Sequence, residues 1–296
     1  MAQEDLRNPV VVGVDGTDES GHAVSWALEE AARHGLPVRL VHAFEYPPPL
    51  LPFYDAATGL GEDHLREVAR GAMARELSCA VGRARTLPVT GEVVDGPPVD
   101  ALLAEGRRAA LLVVGTRGFG AFGELLVGST GTALAAQAVC PVVVVPAPRP
   151  ENVPGGPVVV GVDGSACSQA AVALAFGEAS LRGVPLAAVH AWRESLRGLA
   201  EGAADRERGA QGEEAEHGML LSEALAGNRG RYPDVEVDGG AVRGHPVRAL
   251  LEASRGASLL VVGARGAGGY EGMPLGSVAQ GVLHHANCPV CVVPPA

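Results

Sequence analysis

Val10-Val11-Val12-Gly13-Val14-Asp15-Gly16-Thr17 returns as Val158-Val159-Val160-Gly161-Val162-Asp163-Gly164-Ser165, 148 positions further along the chain. A β-branched run without polar alternation is the pattern of a strand covered on both faces, and Asp-Gly directly after it marks a turn. Leu111-Leu112-Val113-Val114-Gly115 returns as Leu259-Leu260-Val261-Val262-Gly263 at the same offset. Gly128-Ser129 returns as Gly276-Ser277, and Cys140-Pro141 as Cys288-Pro289. A period of this length belongs to whole domains, because solenoid units recur at roughly 20–50 residues. The 296 residues therefore divide into a domain over 1–147, a linker over 148–155 and a second domain over 156–296. The linker is proline-rich, which breaks helix and strand patterns alike, and its shortness is expected to hold the halves close together.

Outward from the first strand, short apolar runs alternate with longer amphipathic stretches. Ser20 to His34 has helical spacing, Val38–Phe44 reads as a second strand, and Glu62 to Arg83 as a charged helix. Val89–Val94 is a third strand, Val99 to Arg107 a helix, Leu111–Val114 a fourth strand, Thr130 to Ala138 a helix and Val142–Val145 a fifth strand. Strands alternating with helices through right-handed crossovers imply a doubly wound parallel sheet, and the second half repeats the order. One segment differs between the halves. Tyr46 to Gly59 opens with Pro47-Pro48-Pro49 and carries Phe53 and Tyr54, whereas its counterpart, Glu194 to Arg208, is rich in Glu, Arg, Gly and Ala. Both read as irregular, the first as a lid, a partner loop or a plain surface excursion.

Composition narrows the function classes. The chain is 47% hydrophobic but 4% aromatic, so its cores are expected to be built from Val, Leu and Ala. A net charge of −11 argues against a nucleic-acid or anionic-membrane surface. All 23 basic residues are arginine. That excludes a P-loop lysine, a Schiff-base lysine and a lysine general base. No apolar run reaches the roughly 18–20 residues that span a bilayer, and the polar start of the chain lacks the apolar stretch of a signal peptide. The expectation is a soluble, cytoplasmic protein whose five cysteines form no disulfide framework.

The chemistry concentrates after the fourth strand. Gly115-Thr116-Arg117-Gly118, nine residues and then Gly128-Ser129-Thr130 lead into a helix; Gly263-Ala264-Arg265-Gly266, nine residues and then Gly276-Ser277-Val278 repeat the spacing. Glycines after a strand let backbone N–H groups approach an anion, and Gly-Ser sets unpaired helix N-terminal N–H groups against it. The carboxyl ends of parallel strands are where open α/β sheets hold ligands. A phosphate cradle in each half is the reading that identical spacing favours over plain turn glycines.

Gly-x-x-Gly, nine residues and Gly-Ser, with Val-Gly-Val-Asp-Gly-Thr/Ser at the first strand and Cys-Pro-Val before the last, resembles the universal stress protein family. More narrowly, the chain is similar to its tandem two-domain, actinobacterial-like members. The resemblance implies two tandem α/β domains of Rossmann-like, adenine nucleotide alpha hydrolase-like type. Each would have a five-stranded parallel sheet and an ATP site. It implies nucleotide contacts at Gly13, Asp15, Val41, Gly115, Arg117, Gly118, Gly128, Ser129 and Thr130. The second set is Gly161, Asp163, Val189, Gly263, Arg265, Gly266, Gly276, Ser277 and Val278. Val41 and Val189 are assigned to adenine, through their backbones, by the family alone. Asp15 and Asp163 read either as turn or N-cap residues or as ligands, and a carboxylate beside polyphosphate makes sense chiefly with Mg²⁺ between them.

The remaining candidates read as structural. His42 and His190 are expected to be satisfied structural histidines, and Cys288-Pro-Val-Cys291 core or interface thiols rather than a metal or redox pair. No metal-ligating cluster and no catalytic residue is assigned. The expected function is regulatory: ATP in each half would report energy state to an unknown protein partner in the stress response. Slow ATP hydrolysis or phosphotransfer at the same sites is the alternative. In the family the last strand of each half commonly pairs domains, so the two halves are expected to pair within a chain and two chains to form a homodimer.

Overall fold

The computed structural model describes residues 8–45, 61–84, 86–116, 128–147, 155–193, 203–268 and 273–295, with side chains from 212 onward in the helix that starts at Ala203. The chain separates into two compact units, 1–147 and 148–296. The segment 46–59, Arg117 and Gly118 lie outside the described residues.

Unit 1 holds strands β1 (Val10–Gly13), β2 (Val38–Phe44), β3 (Val89–Asp95), β4 (Leu111–Gly115) and β5 (Val142–Val145). They pair in parallel in the order β3-β2-β1-β4-β5. Helices α1 (Asp18–His34), α2 (Glu62–Arg83), α3 (Pro98–Gly106) and α4 (Ser129–Gln137) connect them. Unit 2 repeats the arrangement with β6 (Val158–Gly161), β7 (Leu186–Trp192), β8 (Val237–Arg243), β9 (Leu259–Gly263) and β10 (Val290–Val293). Its parallel order is β8-β7-β6-β9-β10. Its helices are α5 (Ala166–Arg182), α6 (Ala203–Arg231), α7 (Pro246–Ala253) and α8 (Ser277–His285).

The β-branched runs sit where their composition requires. Val10, Val11 and Val12 of β1, like Val158, Val159 and Val160 of β6, are buried with helices on both faces. The strand order reverses at β1 and at β6, between β2 and β4 and between β7 and β9, which opens a crevice at the carboxyl edge of each sheet. Asp15 and Gly115 flank one crevice; Asp163 and Gly263 flank the other.

Close packing explains two pairs of glycines. A Cβ on Gly263 would stand 2.8 Å from Cys167 Cβ and 2.9 Å from its backbone carbon, in the first turn of α5. Gly115 meets the backbone of Glu19 in α1 the same way, at 2.8 Å. Gly13 and Gly161 lie against Leu102 and Leu250 of the helices that follow β3 and β8. The helices can approach the strand ends this closely only where the strand carries no side chain.

Element ends fall within about two residues of the sequence reading, with one larger difference. Residues 203–208, read as irregular, form the start of α6. Ala, Glu, Arg and Gln are good helix formers, but without an apolar stripe they leave no periodic signal. Among the described residues no helix is long and apolar enough to cross a membrane.

Replacing a fully buried central-strand residue tests the core assignment. Leu260→Ala in β9 is expected to destabilise unit 2 by about 2–5 kcal/mol in urea unfolding, because Leu260 has no exposed surface. A loss well under about 1 kcal/mol would contradict a close-packed strand.

Candidate functional site

Each site is built on the turn after the first strand. Gly16 and Gly164 adopt φ of +80° and +79°, a left-handed conformation that side-chain-bearing residues rarely take. The turn brings the Thr17 and Ser165 hydroxyls over the next helix, where each accepts from a backbone N–H, Ser20 at 3.3 Å and Ser168 at 3.1 Å. Thr17 and Ser165 are therefore the N-caps of α1 and α5, and Asp15 and Asp163 are not.

The aspartates hold the turn itself. Asp15 Oδ1 accepts from Thr17 N at 3.1 Å and from Thr17 Oγ1 at 2.6 Å. Asp163 Oδ1 accepts from Ser165 N at 3.0 Å, while its Oδ2 accepts from Ala267 N at 3.0 Å in the glycine loop after β9. Gly266 lies so near this carboxylate that a Cβ there would collide with Asp163 Oδ2. A second tie joins turn and loop, since the Ser165 hydroxyl donates to Arg265 O at 3.4 Å.

In unit 2 these parts enclose a cavity of about 270 Å³. Gly161, Asp163, Val189, Gly263, Arg265, Gly266, Gly276, Ser277 and Val278 all line it, so the nine positions named for this half come together. One wall is the start of α8. Gly276 offers no side-chain cap, and the first bond inside the helix runs from Gln280 N to Gly276 O at 2.9 Å. The N–H groups of Ser277, Val278 and Ala279 are thus left without a partner in the helix, where its positive dipole end faces the cavity. Gly276 N donates back to Ala264 O at 2.8 Å, closing the loop beneath them. Arg265 also lines the cavity and makes no ion pair among the described residues.

In unit 1, Gly13 and Gly115 close β1 and β4, Asp15 follows β1, Val41 pairs with Gly13 from within β2, and Gly128, Ser129 and Thr130 stand at the start of α4. Gly128 N donates to Thr116 O as Gly276 does to Ala264. Arg117 and Gly118 belong to the portion of this loop outside the described residues.

The backbone assignment of Val41 and Val189 meets an occupied carbonyl. Val41 O accepts from Val14 N, and Val189 O from Val162 N, each at 2.9 Å. A carbonyl has two lone pairs, so one stays open on each. Val189 and Ala191 face the cavity, and His190, between them in the strand alternation, faces away. His190 Nδ1 donates to Val162 O at 2.7 Å, and its Nε2 accepts from His217 Nδ1 at 2.9 Å. Because a carbonyl can only accept, the proton lies on His190 Nδ1. His42 Nδ1 bonds Val14 O at 2.9 Å in unit 1. Both are structural histidines.

Several lining residues escaped sequence reasoning. Ser168 accepts from Asp163 N at 3.2 Å through its hydroxyl and lines the cavity with Leu250 and Met273. A signal for Ser168 was present, since Ser20 precedes it by the repeat offset and both are buried. Cys288 and Cys291 are buried in the core.

Comparison with known proteins agrees with the fold. The model of the Universal stress protein family matches residues 7–146 and again 156–294. A universal stress protein of Mycobacterium tuberculosis strain H37Rv is 39% identical over 308 residues, covering 99% of each chain. One from Mycolicibacterium smegmatis is 37% identical over 299 residues, covering 100% of each. The crystal structure of a universal stress protein from Archaeoglobus fulgidus superposes with a TM-score of 0.64 at 19% identity, covering 98% of this chain and 99% of that one.

The thiols give a direct check on this part of the molecule. Burial pushes Cys140 and Cys288 up to about 11, which holds both in the unreactive thiol form at neutral pH. At pH 8 iodoacetamide is expected to label exposed Cys79 about a hundredfold faster than either, the gap closing only as pH rises towards 11 or the chain unfolds. Equal labelling of Cys79 and Cys288 in the folded chain would contradict the burial.

Proposed function

This chain belongs to the universal stress protein family, and on that premise we propose that each domain binds one ATP, with Mg²⁺ on its phosphates, and that the chain serves as a stress-response regulatory or energy-sensing protein of the cytoplasm. The observation that carries the reading is the convergence in unit 2. A glycine loop, an uncapped helix N-terminus, an arginine and a carboxylate border one cavity at the carboxyl edge of a parallel sheet. Unpaired N–H groups at a helix start are a ready anion site, and a phosphate there completes hydrogen bonds that no described residue makes. At about 270 Å³ the cavity lies near the lower end of ligand pockets, roughly 300–1,000 Å³, a size suited to part of a mononucleotide.

Mg²⁺ fits the donors present. Each Asp163 oxygen accepts one backbone N–H, and an ionised carboxylate has about four lone-pair sites, so positions remain for a cation. Bound there, the ion would neutralise charge between carboxylate and phosphates. Binding rather than turnover is the role we assign. His190 spends both ring nitrogens on Val162 and His217 and cannot serve as a base at the phosphates. The apolar runs Val142–Val145 and Val290–Val293 support, as part of the same proposal, pairing of domains and of chains.

Ser129→Asp and Ser277→Asp test the cradle. A carboxylate in the first turn favours the helix by about 0.3–1 kcal/mol but repels a phosphate. Each variant is expected to melt no lower than the parent and to lose ATP from its own domain only, measured by equilibrium dialysis and by nucleotide released in acid. Gly115→Asp or Gly263→Asp would also remove ATP, but each pushes a side chain into the adjacent helix. Absence of bound nucleotide in the parent, with no ATP uptake at millimolar concentration, would sink the proposal.

A further inference from the structure

One wall residue of the unit 2 cavity differs in reactivity from its counterpart in unit 1. Met273 lines the cavity, three residues before Gly276, the N-cap of α8. The position 148 residues earlier is Leu125. Leucine and methionine are close in volume and apolarity, so the exchange costs little in packing. Reactivity is another matter, because a thioether sulfur is open to peroxide oxidation and a leucine is not.

Reach from solvent decides which sulfurs react. Met73 is 5% exposed and packs on β3, where a Cβ on Gly91 would stand 2.8 Å from its sulfur. Met219 on α6 is 66% exposed but does not line the cavity. Met273 is 42% exposed and does line it. Among the described residues no cysteine is on that wall: Cys167, which packs against Gly263, and Cys288 are both buried. Met273 is thus the described sulfur that combines access for an oxidant with a place beside the ligand.

The reaction is a two-electron oxygen transfer. A lone pair of the Met273 sulfur attacks one oxygen of hydrogen peroxide, an S–O bond forms and the O–O bond breaks. The other oxygen leaves as water once the proton on the transferred oxygen has moved to it; sulfur is oxidised and peroxide reduced. An apolar, flexible side chain becomes polar, and its new oxygen is a hydrogen-bond acceptor only. The donors of this cavity are the first-turn N–H groups of α8 and Arg265, which the phosphate reading requires. A sulfoxide oxygen competes for them and sets negative partial charge on the wall of an anion site. Loss of one charge-assisted hydrogen bond corresponds to roughly tenfold in affinity.

We propose that Met273 is a reversible oxidation site, whose sulfoxide weakens nucleotide binding in unit 2 while unit 1, with Leu125, keeps its nucleotide; this rests on the ATP reading of both cavities. The full chain is treated with hydrogen peroxide and then with dithiothreitol, which reverses disulfides and sulfenic acids and leaves sulfoxides. Trypsin, cutting after arginine, puts Met73, Met219 and Met273 on separate peptides, 71–75, 209–229 and 266–296, for mass spectrometry. Met273 is expected to convert alongside Met219 while Met73 lags, and saturating ATP to slow Met273 without affecting Met219. By equilibrium dialysis, ATP affinity is expected to fall roughly tenfold in the Ser129→Asp chain, which reports unit 2. No fall is expected in the Ser277→Asp chain, which reports unit 1. A pair of methionine sulfoxide reductases, one for each epimer, restores the lost affinity. In Met273→Leu, peroxide leaves the affinity of unit 2 where it started, whatever that value is. The proposal is overturned if Met273 stays unconverted while Met219 reacts, with or without nucleotide. Conversion of Met273 with unaltered ATP affinity overturns it too, as does a peroxide effect that persists in Met273→Leu. A distinct result, no ATP uptake by the untreated parent, sinks the nucleotide reading itself and this proposal with it.

Discussion

One small knot of hydrogen bonds organises the carboxyl edge of unit 2. The carboxylate of Asp163 takes one N–H from its own turn and another from the glycine loop after β9. The next hydroxyl, Ser165, caps α5 and reaches Arg265 O. Ser168, one turn into that helix, accepts from the Asp163 N–H. Strand end, helix start and glycine loop are thereby fixed to one another by short-range polar contacts. Each is modest alone, about 1 kcal/mol net, but together they decide where the backbone donors point. The cavity, the orientation of Arg265 and the exposed first turn of α8 all follow from that placement.

Most of this order was legible in the sequence because the chain states it twice. The valine runs, the Asp-Gly turn and the glycine spacing each carry a local physical meaning, and their recurrence separated them from chance. The resemblance to a family that they carry extends over both units. What stayed hidden depends on contacts between distant segments. Nothing in the sequence near Gly161 says that Leu250 will press against it. The tie between Asp163 and Ala267 is invisible for the same reason. The start of α6 was missed because its residues favour helix without forming an apolar stripe.

The copies also differ, within the cradle at Thr116 and Thr130 against Ala264 and Val278, and further away from it as well. His190 has a histidine partner, His217, which stacks on Trp192 with ring centroids 4.8 Å apart. The matching positions in unit 1 are Ala69 and Phe44, and Phe44 instead receives the Arg66 guanidinium at 4.9 Å. A duplicated chain can keep one binding chemistry in both halves while each outer surface diverges, since exposed helix faces are less constrained than strand ends.

The glycine that closes β9 has a consequence for how such a site can disappear. Gly263 has no room for a methyl group against Cys167, and Gly115 none against Glu19. Substitution at either position disturbs the fold before it touches any ligand. Gradual loss of nucleotide affinity is therefore channelled to the other end of the loop, where Ser129 and Ser277 stand at half-open helix starts and accept new side chains at small structural cost. A descendant of this chain that had given up one nucleotide would be expected to retain its strand-end glycine, so that glycine is a record of architecture, and the helix start is the record of use.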